Sequence, residues 1–173
     1  MVTVDQTAVL STFDARFASV THDIQDFIGF NIAPWQFEWQ DSGLRNLLAP
    51  LSPMTVRCGG TWEDGIYWEG GPHTGRFGKT KAGMTAHNLT SSQWHPFATL
   101  MDELTGVDLV VGLSALWRRW EGCEDVPASG VCPGKVAWDS RNAEAFIKHN
   151  KEAGYNVWGY ELGNEPGDRA THA

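Results

Sequence analysis

The chain reads as an α/β protein with the layout of the N-terminal half of a (β/α)8 TIM barrel, four parallel strands with helices outside. Three observations lead there. Four short apolar or β-branched runs recur at 17–23, 54–58, 107–113 and 157–162, and stretches with helical spacing stand between them. The third run, Val107-Asp108-Leu109-Val110-Val111-Gly112-Leu113, is almost continuously apolar, as in a parallel strand covered on both faces. The order is therefore β-α-β-α-β-α-β. Crossovers of this kind are nearly always right-handed, which lays the strands side by side in chain order. A complete barrel takes about 250 residues, and this chain has 173, so a fragment is expected.

Taken in order, Val2 and Val4 alternate with polar residues as a short edge strand does, and residues 1–16 are set apart from the barrel segment 17–173. The start, Met1-Val2-Thr3-Val4-Asp5, has neither a basic region nor an apolar run, so no signal peptide is readable. The first strand alternates apolar and small residues from Phe17 and ends on Asp23. An aromatic loop with Trp35, Phe37 and Trp39 follows. Ser42 to Ala49 spaces Leu44, Leu47 and Leu48 along one helix face, with Pro50 just beyond. The second strand, Met54 to Cys58, is broken by Gly59-Gly60. Residues 62–88 hold six glycines, two of them adjacent, and read as a long irregular excursion. Thr90 or Ser91 then caps a helix to Leu104, with Trp94, Phe97, Leu100, Met101 and Leu104 three or four apart and Gly106 closing it. The last helix opens near Trp138-Asp139-Ser140, turns Ala143, Phe146 and Ile147 inward and ends near Gly154.

The hydrophobic content of 42% is enough for one domain with a real core, and the formal net charge of −8 argues against a nucleic-acid surface. Nine tryptophans suit stacking on sugar rings, although a Trp in a strand or helix is usually packed in the core. Three cysteines leave at least one thiol unpaired within the chain. Cys123 and Cys132 bracket a short turn-rich excursion, so they are either a disulfide staple or two free thiols. No metal site is expected, because the cysteines and the six scattered histidines lack paired ligand spacing. Asn88-Leu89-Thr90 is a glycosylation sequon, which matters only for a secreted chain.

The chemistry concentrates at 157–166, Val-Trp-Gly-Tyr-Glu-Leu-Gly-Asn-Glu-Pro. Gly163 permits a sharp turn and Pro166 ends the run, leaving Asn164 and Glu165 at the carboxyl end of a strand. In parallel sheets with helical crossovers, ligands bind at that end. Three such residues alone are also compatible with a solvated loop.

The wider pattern decides between these. Gly154-Tyr155-Asn156 leading into Glu161-Leu162-Gly163-Asn164-Glu165-Pro166 closely resembles the heparanase family of endo-β-glucuronidases, glycoside hydrolase family 79. Leu44-Arg45, Leu51-Ser52-Pro53, Arg57 and Gly59-Gly60-Thr61 follow the same family's order, as do Ser19-Val20-Thr21 with Asp23 and Gly112 to Leu116 followed by Arg118-Arg119. The resemblance spans roughly 17–166 and departs at Cys58, where an aromatic is usual. It implies a retaining hydrolase of β-glucuronide linkages that needs no cofactor. Glu165 would be the general acid and then base, and Asn164 would hold the hydroxyl next to the reacting carbon. Asp23 and Thr61 would hydrogen-bond the sugar, although a loop cap and a turn hydroxyl are the bland readings of those two residues. Arg118 and Arg119 would face an acidic sugar, or simply be solvated at a strand end.

Retention needs two carboxylates about 5–5.5 Å apart. Glu161 lies four residues before Glu165 on one strand, about 13 Å away at about 3.3 Å per residue, so it reads as an interior carboxylate. In the family the nucleophile is a glutamate on a later strand, with no counterpart here. The resemblance therefore implies partners in a glucuronic-acid-containing glycan and the missing C-terminal half of the barrel. It also implies an accessory β-sandwich that residues 1–16 would join, an inactive isolated fragment, and an extracellular, membrane-associated or lysosomal or vacuolar setting. Mammalian heparanases lose a segment corresponding to 62–88 by proteolysis. That segment has no clear equivalent here, so no processing is expected. Two other readings are a non-catalytic carbohydrate-binding half-barrel and another retaining barrel hydrolase, such as a cellulase- or xylanase-type enzyme.

Overall fold

A computed structural model of the chain describes residues 11–28, 39–72, 87–115 and 138–164. Its main sheet has four parallel strands in the order β1 (Ser19–Asp23), β2 (Met54–Gly59), β5 (Val107–Leu113) and β6 (Val157–Leu162). Helices α1 (Ser42–Leu48), α2 (Ser91–Glu103) and α3 (Arg141–Ala153) occupy the three connections. This is the four-stranded α/β layout of half a (β/α)8 barrel.

Register divides the sheet into two chemically different faces. Ser19 pairs with Thr55, Thr21 with Arg57, Arg57 with Val110, and Gly112 with Glu161. Because side chains alternate along a strand, Thr21, Thr55, Arg57, Asp108 and Glu161 share one polar face. Met54, Val56, Cys58, Leu109 and Val111 share the other, where they are buried with Trp94, Phe97, Leu100 and Met101 of α2 and Phe146 of α3. The α2 apolar spacing is thus the core stripe. Thr90 is its N-cap, accepting the Gln93 N–H at 3.3 Å while Gln93 Oε1 accepts the Thr90 N–H at 2.9 Å. Gly154, at φ 80°, closes α3 in the left-handed conformation.

Several boundaries differ from expectation. The first strand begins at Ser19 rather than Phe17, because Asp14 closes a turn there: its carboxylate accepts the Arg16 N–H at 2.7 Å and its carbonyl the Phe17 N–H at 3.0 Å. Phe17 is left exposed against Phe13. On α1, Leu44 and Leu48 pack against the core whereas Leu47 is 73% exposed. The span 62–88 is not wholly irregular. A 3-10 turn at Thr61–Gly65 leads into β3 (Ile66–Trp68), which pairs in parallel with β4 (His87–Leu89). Burial of Ile66, Trp68 and Leu89 drives that pairing. Asn142 of α3 completes the edge, its amide accepting the Trp68 N–H at 2.8 Å and donating to the Trp68 carbonyl at 3.0 Å. The sequon residue Asn88 lies in β4 and is exposed. Trp68 and Trp94 are core residues, whereas Trp158, at a register shift between β5 and β6, is 69% exposed.

Candidate functional site

The carboxyl ends of β2, β5 and β6 are tied together by short polar links. Gly163 has φ 75°, and its N–H donates to the Leu113 carbonyl at 2.8 Å. A Cβ there would lie 2.6 Å from the Ala115 Cβ, so glycine is required on both counts. From the turn after β2, Asp64 is buried and its carboxylate accepts the Ala115 N–H at 2.9 Å. The Ser114 hydroxyl donates to the Asp64 carbonyl, also at 2.9 Å. Three separate chain segments are thereby fixed around one strand-end tip.

Asn164 stands on that tip. The Arg57 Nη2 donates to Asn164 Oδ1 at 3.2 Å. A guanidinium can only donate, so the amide presents its oxygen to Arg57 and keeps its NH2 donors for another acceptor. Glu165 follows Asn164 in the sequence and lies outside the described residues, as do Arg118, Arg119, Cys123 and Cys132.

Arg57 is the hub of the polar face. Its Nε donates to Glu161 Oε1 at 2.5 Å, and its Nη2 pairs with the same oxygen. The hydrogen bond to Glu161 holds the guanidinium above its ordinary pKa, against the opposing effect of burial. Glu161, read from spacing as an interior carboxylate, is therefore the counter-ion of Arg57. The Glu63 Oε2 lies 3.5 Å from the Arg57 Nη2 and accepts the Gly60 N–H at 2.9 Å. Glu63 is 1% exposed. Burial, reinforced by Glu161 and Asp64, raises its pKa to about 8, so the carboxyl is mostly protonated at neutral pH. Two glycines from different strands make room for it. A Cβ on Gly59 would lie 2.5 Å from Glu63 Oε2, and one on Gly112 would overlap the carboxyl outright.

The other expected sugar-binding residues lie at the same end of the sheet. Asp23 ends β1, and its carboxylate accepts the Gln25 N–H at 3.1 Å, which is a capping contact. It also sits 3.1–3.2 Å from the Cβ position of Gly60, whose φ of 108° suits only glycine. Thr61 begins the next turn and is exposed. Asp23, Arg57, Glu63, Glu161 and Asn164 therefore converge, with Thr61 at their rim. Sequence reasoning passed over Glu63 and gave Arg57 no role beyond the resemblance. The available signal was a glutamate three residues after Gly60, the position from which a carboxylate reaches back to a turn's first N–H. Among the described residues no group of three His, Cys, Asp or Glu side chains converges to hold a metal ion. Cys58 is fully buried, and burial pushes its thiol well above the ordinary range, so it is chemically quiet.

Comparison with known proteins places the chain in a family. The model of the glycosyl hydrolase family 79 N-terminal domain matches residues 1–173. Heparanase-like protein 3 of Arabidopsis thaliana is 31% identical over 129 residues. That alignment covers 70% of this chain and 22% of the relative, so the chain spans only a minor part of the length of the protein it matches. The chain therefore belongs to glycosyl hydrolase family 79 as its N-terminal domain, a glycosidase-type protein.

Proposed function

We propose that this domain carries the acid/base half of a retaining hydrolase that cleaves β-glucuronide linkages in glycans. The observation that carries the proposal is the clamp of Arg57 on Asn164, which fixes the residue before Glu165 at the carboxyl end of the sheet. In the reaction the Glu165 carboxyl gives its proton to the glycosidic oxygen as the bond to the anomeric carbon breaks. A second carboxylate, supplied by a later strand of the complete barrel, attacks that carbon from the opposite face. Glu165, now a carboxylate, then removes a proton from the water that hydrolyses the glycosyl-enzyme. The Asn164 NH2 donates to the hydroxyl next to the reacting carbon, while Asp23 and Thr61 hydrogen-bond the same sugar. Arg57 is already paired with Glu161, so recognition of the uronate carboxylate falls to other cations, for which Arg118 and Arg119 are the candidates. No cofactor is required. Without the nucleophile the 173-residue chain by itself is expected to be inactive, and the setting that fits the substrate is extracellular or lysosomal or vacuolar.

The test uses the full-length enzyme that carries this domain, assayed on aryl β-glucuronide, β-glucoside and β-xyloside substrates. Glu165→Gln is expected to lower kcat by about 10²–10⁴-fold on substrates with poor leaving groups, and by much less where the leaving group needs no proton. Normal turnover by Glu165→Gln would refute the acid/base assignment. A preference for glucoside or xyloside would point to another retaining glycosidase, and sugar binding without hydrolysis to a binding module.

A further inference from the structure

We propose that Glu63 is a positioning residue whose protonated carboxyl leaves Arg57 on Glu161 and Asn164, and whose ionisation draws the guanidinium off Asn164 and shuts down the site on the alkaline side. The inference rests on the reading of Glu165 as acid/base, since Asn164 is the residue that precedes it.

The geometry sets up a competition. One guanidinium nitrogen, Arg57 Nη2, faces Glu161 Oε1, Asn164 Oδ1 at 3.2 Å and Glu63 Oε2 at 3.5 Å. With Glu63 neutral, Arg57 and Glu161 cancel and the spare donor goes to the Asn164 amide. With Glu63 ionised there are two carboxylates for one cation. A charge-assisted hydrogen bond is roughly twice as strong as a neutral one, so the donor moves the few tenths of an ångström to Glu63 and the hold on Asn164 is lost.

The surroundings favour the proton at neutral pH. Arg57 is the one cation that faces the carboxyl among the described residues. Around it also stand Cys58 from β2, Glu161 from β6, Asp64 from its own turn, Asp23 from the end of β1, and Asp139 before α3, itself paired with Arg141. Oε2 accepts from Gly60, whereas the buried Oε1 has no hydrogen-bond partner among the described residues. A cavity of about 30 Å³ lies beside Glu63, lined by Ile24, Ile66, Ser114, Asn142 and Phe146 among others. That volume admits a water molecule, to which a protonated Oε1 can donate. A carboxyl so placed titrates above the usual carboxylate range.

The experiment compares pH profiles of kcat and KM for the full-length enzyme and its Glu63→Gln variant, because glutamine copies the protonated carboxyl and does not ionise. On an aryl β-glucuronide whose leaving group needs no proton, so that ionisation of Glu165 does not set the limb, the alkaline limb of kcat is expected to move up by at least about one pH unit in Glu63→Gln, and in the parent to coincide with loss of a protonated-carboxyl infrared band that the variant lacks. A purely structural role would lower activity by a similar factor at every pH and leave the limb in place, which overturns the proposal. So does an infrared titration showing Glu63 already ionised at pH 6, a reading that needs no active variant. If Glu165→Gln keeps normal turnover while the Glu63 limb still shifts, the acid/base reading fails and the link between Glu63 and Arg57 stands. If Glu165→Gln is inactive and the limb does not move, only the present inference falls.

Discussion

Replacing Asn150 by Ala tests whether one buried amide holds two helices and a strand of this half-barrel together. Asn150 lies on α3 and is 1% exposed. Its Oδ1 accepts the indole N–H of Trp94 at 2.6 Å, and its Nδ2 donates to the Tyr160 hydroxyl at 3.3 Å, so α2, α3 and β6 meet at one side chain. Trp94 is fully buried. Truncation strands its N–H in the core at about 1–3 kcal/mol. The bond to half-buried Tyr160 adds at most about 1 kcal/mol, and the better helix propensity of Ala returns about 0.5 kcal/mol. The expected net loss is about 2 kcal/mol, the middle of a range of about 0.5–3.5 kcal/mol, or about 4–8 °C in Tm for a domain of this size. Asn150→Asp keeps the acceptor for Trp94 but buries a carboxyl, so its deficit should grow as pH rises above the ordinary carboxylate pKa. Urea unfolding of parent, Asn150→Ala and Asn150→Asp at pH 5 and pH 8 measures both effects. A loss below about 0.5 kcal/mol for Asn150→Ala would show that the core repacks or that water reaches the indole, and the reasoning from the unsatisfied donor would be wrong.

Two buried groups should pull the pH dependence of stability in opposite directions over much of the same range. Burial lowers the His22 pKa from 6.5 to about 4, against the pull of Asp23. The folded state therefore binds fewer protons than the unfolded state at this site as pH falls from 6.5 to 4, and the contribution of His22 alone falls by about 2.5 kcal/mol between pH 7.5 and 4.5. His22→Gln should therefore gain stability relative to the parent as pH falls from 7.5 to 4.5, and a parent–variant difference that stays constant with pH in denaturant titrations would discount His22. Glu63 works the other way: its raised pKa means that stability declines as pH climbs from 4.5 towards about 8, a decline that Glu63→Gln should remove. Gly163→Ala combines a φ of 75° with a 2.6 Å approach to the Ala115 Cβ. The strain should cost about 2–3 kcal/mol, read as a lower urea midpoint, and a variant as stable as the parent would show that the tip relaxes freely.

Much of the frame was legible because hydrophobic periodicity is a local signal. The run Val107 to Leu113 announces a strand buried on both faces, and the spacing of Trp94, Phe97, Leu100, Met101 and Leu104 announces the buried stripe of α2 without reference to anything distant. Gly154 and Gly163 announce left-handed turns, since few other residues tolerate them. The short β3 and β4 were not legible: each has three residues, and their pairing depends on Asn142, more than fifty residues further along, to complete an edge. The start of the first strand was misplaced for a similar reason, because the Asp14 turn competes locally with sheet pairing.

Sequence alone determined the order of the four main-sheet strands and of the helices between them, and the family, since each is written in local runs and short motifs. Tertiary structure alone decided which charges meet. Glu63, Asp64 and Glu161 are all acidic residues beside aromatic or glycine neighbours and look alike in the chain. They differ because Gly59 and Gly112, brought side by side by strand pairing, open a space that removes Glu63 from water, while Glu161 falls opposite Arg57 on the same face. Desolvation and Coulomb attraction depend on distance in space and on the medium between charges. Neither can be read from separation along the chain.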